Sequence, residues 1–118
     1  MKGWLVVGRS KYHAVRTTVD GITFASKKEA RRYSELRLLE KAQQIRDLII
    51  QPRFQLFGRT SSGDASPIGH YVADFSYFDL TLQKTIVEDV KSAPTRTPVY
   101  RLKKKLAEAC HGITITEV

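Results

Sequence analysis

The chain has 118 residues, 42% of them hydrophobic, enough to bury one core without disulfide or metal staples and too few for a second domain. Its one cysteine, Cys110, excludes an internal disulfide, and the apolar run at residues 4–7 is far shorter than a leader core or a membrane span, so the chain reads as soluble and cytoplasmic, with no membrane partner. Twenty Lys and Arg against twelve Asp and Glu leave a net charge of +8, which points to a polyanionic partner.

Residues 1 to about 20 read as a basic, poorly periodic arm in which Lys2, Arg9, Lys11 and Arg16 surround a short strand at residues 4–7. Asp20-Gly21 marks a turn, Ile22–Phe24 an extended run, and Ser26 a helix N-cap with Glu29 three residues on. From residue 27 to about 47 no Gly or Pro interrupts, and Ala30, Tyr33, Leu36, Leu38, Ala42 and Ile45 recur at helical spacing, which predicts an amphipathic helix. Residues 48–57 predict a strand, with Pro52 marking an edge or bend, and GRTSSGDASPIG at 58–69 predicts a polar loop. Residues 70–79 and 85–91 predict two long strands joined by a turn. Thr97 and Pro98 suit the N-cap and first position of a second helix, with Val99, Leu102, Leu106 and Ala109 on its apolar face and Gly112 closing it. ITITEV then predicts a last strand.

The order helix, three strands, helix, strand predicts an α/β fold. Its three sequential strands pair antiparallel, the fourth returns parallel through a right-handed crossover, and helices flank the mixed sheet. The strand TIVEDVK then poses a question, because it ends in two acids and a lysine. Side chains at i and i+2 share a face, so Asp89 and Lys91 point one way and Glu88 and Val90 the other. The preceding strand carries a further acid, Asp74, which the hairpin sets beside Asp89. Two facing carboxylates repel and are costly to bury, and Mg2+ offsets that cost directly with its preference for carboxylate and water oxygens. A lysine beside such a pair suits charge stabilisation at a phosphate or the orientation of a water. The alternative is a half-buried Asp74–Lys91 ion pair, with Asp89 merely closing its strand.

An acid on one strand followed, after a turn, by acid-x-Lys on the next resembles the PD-(D/E)XK nuclease core. The blocks KYHAVRTTVDGITFASKKEARRYSEL, IRDLIIQPRFQL, YVADFSYFD, VEDVKSAPT and YRLKKKL are similar to those of a family of short phage-encoded proteins in this superfamily, related to Holliday junction resolvases. The likeness covers residues 11–118. It implies a restriction-endonuclease-like core and a Mg2+-dependent endodeoxyribonuclease, with Mn2+ able to substitute. It further implies a substrate of branched or junction DNA, a homodimer that makes two matched nicks, and the host-cell cytoplasm as the compartment. Carried over by position, Asp74 and Asp89 are the strand acids, Lys91 the catalytic lysine, and Glu29 the first-helix glutamate that joins Asp74 and Asp89 at the metal. Ala73 stands where the motif has proline. Ser26-x-x-Glu29 is equally a capping box, a reading in which Glu29 only closes the helix end. The same residues suit a nickase or a general DNA-processing nuclease, and a non-cutting DNA-binding module of the same fold is the reading outside enzymes.

His13, His70 and His111 are scattered, with no pair at ligand spacing, and Gln51 and Gln55 read as polar residues on a solvated strand face. Basic residues fall in the arm, at the start of the first helix (Lys27, Lys28, Arg31, Arg32), and after Lys91. Helical cations default to a solvated face, so DNA contacts are assigned to Lys11 and Arg16 and to Arg96, Arg101, Lys103 and Lys104. No base-reading motif is present, which leaves selectivity to nucleic-acid shape.

Overall fold

The computed structural model describes residues 15–118. The expected strand at residues 4–7, together with Lys2, Arg9, Lys11 and His13, lies outside the described residues. The last part of the expected arm is itself a strand. β1 (Thr17–Val19) and β2 (Ile22–Phe24) form an antiparallel hairpin about Asp20 and Gly21. Both turn residues have positive φ, +53° and +76°, the geometry that fits a two-residue turn to the twist of its strands. Tyr33 Oη donates to Asp20 Oδ2 at 2.9 Å and so ties the hairpin tip to the helix that follows.

That helix, α1 (Lys27–Lys41), starts where the sequence predicts: Ser26 is extended and its hydroxyl accepts from Glu29 N at 3.1 Å. It buries Ala30, Tyr33 and Leu36. It stops about six residues sooner than expected, because Gln43 adopts φ +60°, a left-handed conformation that glycine more commonly supplies. Ile45 therefore belongs to a strand, and Leu38, counted with the apolar face, is 66% exposed.

β3 (Ile45–Ile50), β6 (Phe75–Asp79), β7 (Lys84–Asp89) and β8 (Ile115–Glu117) form a four-stranded sheet in the order β3-β6-β7-β8. The first two pairings are antiparallel and β7–β8 is parallel, consistent with a crossover through a helix. β4 (Arg53–Arg59) and β5 (Ala65–Val72) form a separate antiparallel hairpin. The expected loop at 58–69 is mostly strand, with only a tight turn over residues 60–64, where Thr60 N donates to Asp64 O and Gly63 N to Thr60 O. Its Thr, Ser and Asp residues read as loop because this ribbon is largely solvated.

The expected strands 48–57 and 70–79 each break in two, and they break together. Gln51, at φ +55°, donates its N–H to Asp74 O at 2.9 Å, and Ala73 N donates to Pro52 O at 3.1 Å. Both chains thus leave one sheet for the other at a single level, still bonded through the bend. Asp74 sits at that bend.

α2 (Pro98–His111) connects β7 to β8 and follows its predicted punctuation: Thr97 Oγ1 accepts from Tyr100 N at 3.1 Å, and Gly112 closes the helix at φ +63°. Its buried face differs from the one expected. Val99 and Leu102 are 64% and 60% exposed, while Ala107 is buried and Tyr100 and Leu106 pack beside it against Leu56, Tyr71 and Val87. A small residue at the contact lets the helix approach the sheet closely. The two core clusters lie on opposite faces of the sheet, one built on α1 with Phe24, Ile45, Phe75 and Tyr77, the other on α2. Among the described residues no helix is long and apolar enough to cross a membrane.

One ionic contact fixes α1 to the sheet. Glu88 on β7 is 2% exposed and receives Arg32 Nε at 2.8 Å and Nη2 at 2.6 Å, with Tyr77 Oη donating to the same carboxylate. Arg32, expected on a solvated face, turns inward because the fork geometry of its guanidinium satisfies both carboxylate oxygens. Burial, reinforced by Glu88, holds the Tyr77 hydroxyl above its usual range, so it remains a donor. Removing one partner of a buried pair leaves an uncompensated charge, so Arg32→Ala should lower the unfolding free energy in urea by about 3–5 kcal/mol. Arg37→Ala, which removes only the more exposed pair with Glu40, should change it by less than about 1 kcal/mol. Equal losses in the two variants would show that Glu88 does not depend on Arg32.

Candidate active site

The bend places Asp74 where β6 begins and Asp89 where β7 ends, and two hydrogen bonds tie Asp74 to Asp89 and its neighbour Val90. Asp74 N donates to Asp89 Oδ1 at 3.2 Å, and Val90 N donates to Asp74 Oδ2 at 2.7 Å. The backbone ladder continues past both, with Asp74 N also reaching Glu88 O at 3.1 Å, Val118 N reaching Asp89 O at 2.8 Å and Lys91 N reaching Val118 O at 3.0 Å. Each carboxylate is therefore held through one oxygen by a main-chain amide, and the backbone bonds around them fix the segments that carry them. Asp89 is 2% exposed, and its second oxygen, Oδ2, is buried with no hydrogen-bond partner. An anionic oxygen left so is costly unless something absent from the polypeptide meets it.

Ala73 is fully buried, and its amide makes the bond to Pro52 O described above. Proline has no N–H and would forfeit that bond.

Three carboxyls are pushed up from their ordinary range. Burial raises Asp89 to about 6, opposed by Lys91 and the Asp74 amide. Burial also raises Asp74, opposed by the Val90 amide and Lys91. Glu29, on the first turn of α1, is raised to about 7 by burial and then by Asp74, with Asp89 adding to the rise and Lys91 and the Ala25 amide opposing it. Ser26 Oγ accepts from Glu29 N, one half of a capping box, and among the described residues no hydrogen bond from Ser26 N to the Glu29 carboxylate completes it. The four residues singled out in the sequence thus share one electrostatic environment.

Lys91 influences all three carboxyls, yet among the described residues no ion pair within 4.0 Å joins it to Asp74 or Asp89. The half-buried Asp74–Lys91 pair considered from sequence is not formed. The ammonium lies instead 4.1 Å from the centroid of the Tyr100 ring. Glu88 faces the other way, into the Arg32 clamp, as strand alternation requires.

The basic residues divide differently from expectation. Arg96 Nε donates to Glu117 Oε1 at 2.8 Å, Lys104 Nζ lies 3.4 Å from Oε2, and Tyr100 Oη donates to Oε2 at 2.8 Å. Arg96, followed by Tyr100, holds the Glu117 carboxyl down at about 2. Arg101, Lys103 and Arg16 are exposed, and Lys103 lines a groove of about 410 Å³ with Lys91, Tyr100, Tyr71, Thr95 and Thr97. Lys11 lies outside the described residues. Lys28, assigned to a solvated face, donates to Lys91 O at 2.6 Å. Gln55 Nε2 bonds Gly69 O at 2.6 Å and His111 Nε2 lies 2.7 Å from Gln55 O, so both serve the β4–β5 hairpin. Tyr100 and Glu117 escaped the sequence reading; an acid in an otherwise β-branched final strand was the only signal available.

Residues 9–112 match the family described as "Protein of unknown function (DUF1064)". The chain belongs to the DUF1064 family. No curated protein and no solved structure matches it. The matched span of this DUF1064 chain takes in Glu29, Asp74, Asp89 and Lys91 and ends before Glu117.

Among the described residues, no three His, Cys, Asp or Glu side chains converge at the spacing that would hold a metal. Asp74 and Asp89 are nevertheless linked through main-chain amides, and Mg2+ commonly takes one or two carboxylates, filling its remaining positions with water and substrate oxygens. The paired acids and the unpartnered Asp89 Oδ2 fit such an ion, with Glu29 in electrostatic reach.

These shifts carry a pH signature. Asp89 is raised from an ordinary 3.8 to about 6, so its favourable contribution is full below about pH 3.8 and is lost as pH rises through about 6. In metal-free protein Asp89→Asn, which keeps an acceptor for the Asp74 amide, should melt above the parent at pH 8, with the gap closing toward pH 4. A gap constant across that range, read by thermal melts in chelator, would show that ionised Asp89 is not strained.

Proposed function

We propose that this DUF1064 protein is a metal-dependent endodeoxyribonuclease with a restriction-endonuclease-like core of the PD-(D/E)XK kind, acting on branched DNA as a Holliday junction resolvase. One observation carries the reading: Asp74 and Asp89 are locked together at the end of a hairpin with one carboxylate oxygen buried and unpartnered, beside a lysine that does not neutralise them. A framework with no use for a cation has no evident physical reason to keep that arrangement.

Asp74 and Asp89 would hold the cation, joined by Glu29. Bound Mg2+, for which Mn2+ can substitute, supplies Lewis acidity toward a phosphoryl oxygen and makes a water more acidic. Lys91 orients the attacking water and stabilises the negative charge that grows on the phosphoryl oxygens. The water oxygen bonds to phosphorus and one P–O ester bond breaks; one proton of the water ends on the departing oxygen, the other passes to solvent, and the phosphate that remains carries the second negative charge. Arg101 and Lys103, exposed beyond Lys91 on α2, are suited to backbone phosphates on either side of the break. Two matched nicks in a four-way junction require two such sites related by a two-fold axis, hence a homodimer.

Labelled four-way junction and linear duplex of the same sequence, each with Mg2+ or chelator, test the reading. The parent should cut the junction only with the metal. Asp89→Asn and Lys91→Ala should both abolish cutting and keep DNA affinity within a few-fold, and either variant cutting at the parental rate would contradict the assignment. A further expectation concerns salt: Arg101→Ala with Lys103→Ala should reduce the log-log salt slope of binding by about 0.9 for each DNA phosphate that is no longer neutralised. Arg96→Ala should change that slope less, since Glu117 already engages its guanidinium. An unchanged slope in the double variant would turn that face of α2 away from DNA.

A further inference from the structure

Lysine beside two carboxylates in half-buried surroundings ordinarily closes onto them, because their attraction grows as water is excluded. Such a pair would occupy the oxygens a cation needs and the ammonium a phosphate needs. Lys91 feels all three carboxyls of the site and closes onto none of the strand acids.

The competing partner is an aromatic face. Lys91 Nζ lies 4.1 Å from the Tyr100 centroid, well within the range of cation–π attraction. That ring is fixed from several directions. Its hydroxyl donates to Glu117 Oε2, Arg96 and Lys104 pin the same carboxylate, Thr97 caps its amide, and the Tyr71 ring lies 6.3 Å away. Glu117 is itself opposite Asp89 in the parallel β7–β8 pairing, so the support is built on the strand beside the one that bears the acid. Donation of the phenolic proton to an anion also makes the ring more electron-rich and a better cation acceptor. On the other side, Lys28 holds the Lys91 carbonyl.

We propose that Tyr100 is a positioning residue for the candidate site: its ring, braced by Glu117, holds the Lys91 ammonium off Asp74 and Asp89, leaving the acids open to a cation and the ammonium open to a phosphate. The proposal rests on the nuclease reading for its consequence, but the positioning is measurable without any cleavage.

Proton NMR reads it directly. The lysine ε-methylene signal that disappears in Lys91→Ala should lie upfield of the other lysines, because protons over an aromatic face are shielded. Tyr100→Phe, which keeps the ring, should retain that shift and most of the cleavage. Tyr100→Leu should lose the shift, raise the Mg2+ concentration needed for half-maximal cutting, and lower kcat by about tenfold or more with KM for DNA within a few-fold. An ordinary lysine shift for Lys91 in the parent would overturn the proposal without any variant, even if Tyr100→Leu failed to fold. So would parental cutting in Tyr100→Leu, or an equal loss in Tyr100→Phe. Parental cutting in Lys91→Ala would instead sink the role of Lys91 in the nuclease reading, while a shielded Lys91 would leave the positioning intact.

Discussion

Glu88 carries a carboxylate into the core, and the arrangement of the site follows from how it is held there. Isolated burial of such a charge is unfavourable by several kcal/mol even after relaxation, so the fold is constrained to deliver Arg32 in bidentate geometry and Tyr77 beside it. That requirement brings α1 against β7 at a defined height. Glu29 lies about one helical turn from Arg32 and so comes within electrostatic reach of Asp74, and more weakly of Asp89. Strand alternation does the rest: a side chain next to one committed to the α1 face must turn to the other, which sends Asp89 toward α2, Lys104 and Glu117.

The two faces of β7 therefore treat their acids in opposite ways. Glu88 is fully answered by protein groups. Asp89 is answered by half, with one oxygen on the Asp74 amide and the other on nothing. Glu117, close by, is oversupplied, with two cations and a phenol. At the Asp74–Asp89 pair the chain leaves negative charge unmet, in a protein with a net charge of +8. A shortage of cations is no explanation for that gap; Lys91 is in range and is held elsewhere.

What could be read from the sequence depended on how local the governing chemistry was. Ser26, Thr97, Pro98 and Gly112 mark helix ends through bonds spanning three or four residues, and the structure keeps each of them. The early end of α1 was hidden because Gln43 takes a conformation its residue type does not announce. The shared bend at Gln51 and Ala73 was half visible in Pro52, but Ala73 breaks its strand only because a second chain segment bonds to it there. Val99 and Leu102 suggested the wrong face of α2, since apolar spacing does not reveal that Ala107 provides the close approach. Asp74, Asp89 and Lys91 were legible as a group because period-two alternation and one hairpin suffice to bring them together. Tyr100 and Glu117 were not, because they stand seventeen positions apart, one in the crossover helix and one in the strand it leads to, and only the folded chain joins them.

Whether the Asp74–Asp89 pair is a cation site can be read from crystals grown with Mn2+ and measured at its absorption edge. An anomalous peak is expected about 2.0–2.2 Å from an oxygen of each residue, Asp89 Oδ2 among them, with Lys91 still over Tyr100 and with no peak in Asp89→Asn. A map without a peak at saturating Mn2+, with Lys91 closed onto Asp74 as an ion pair, would contradict the assignment.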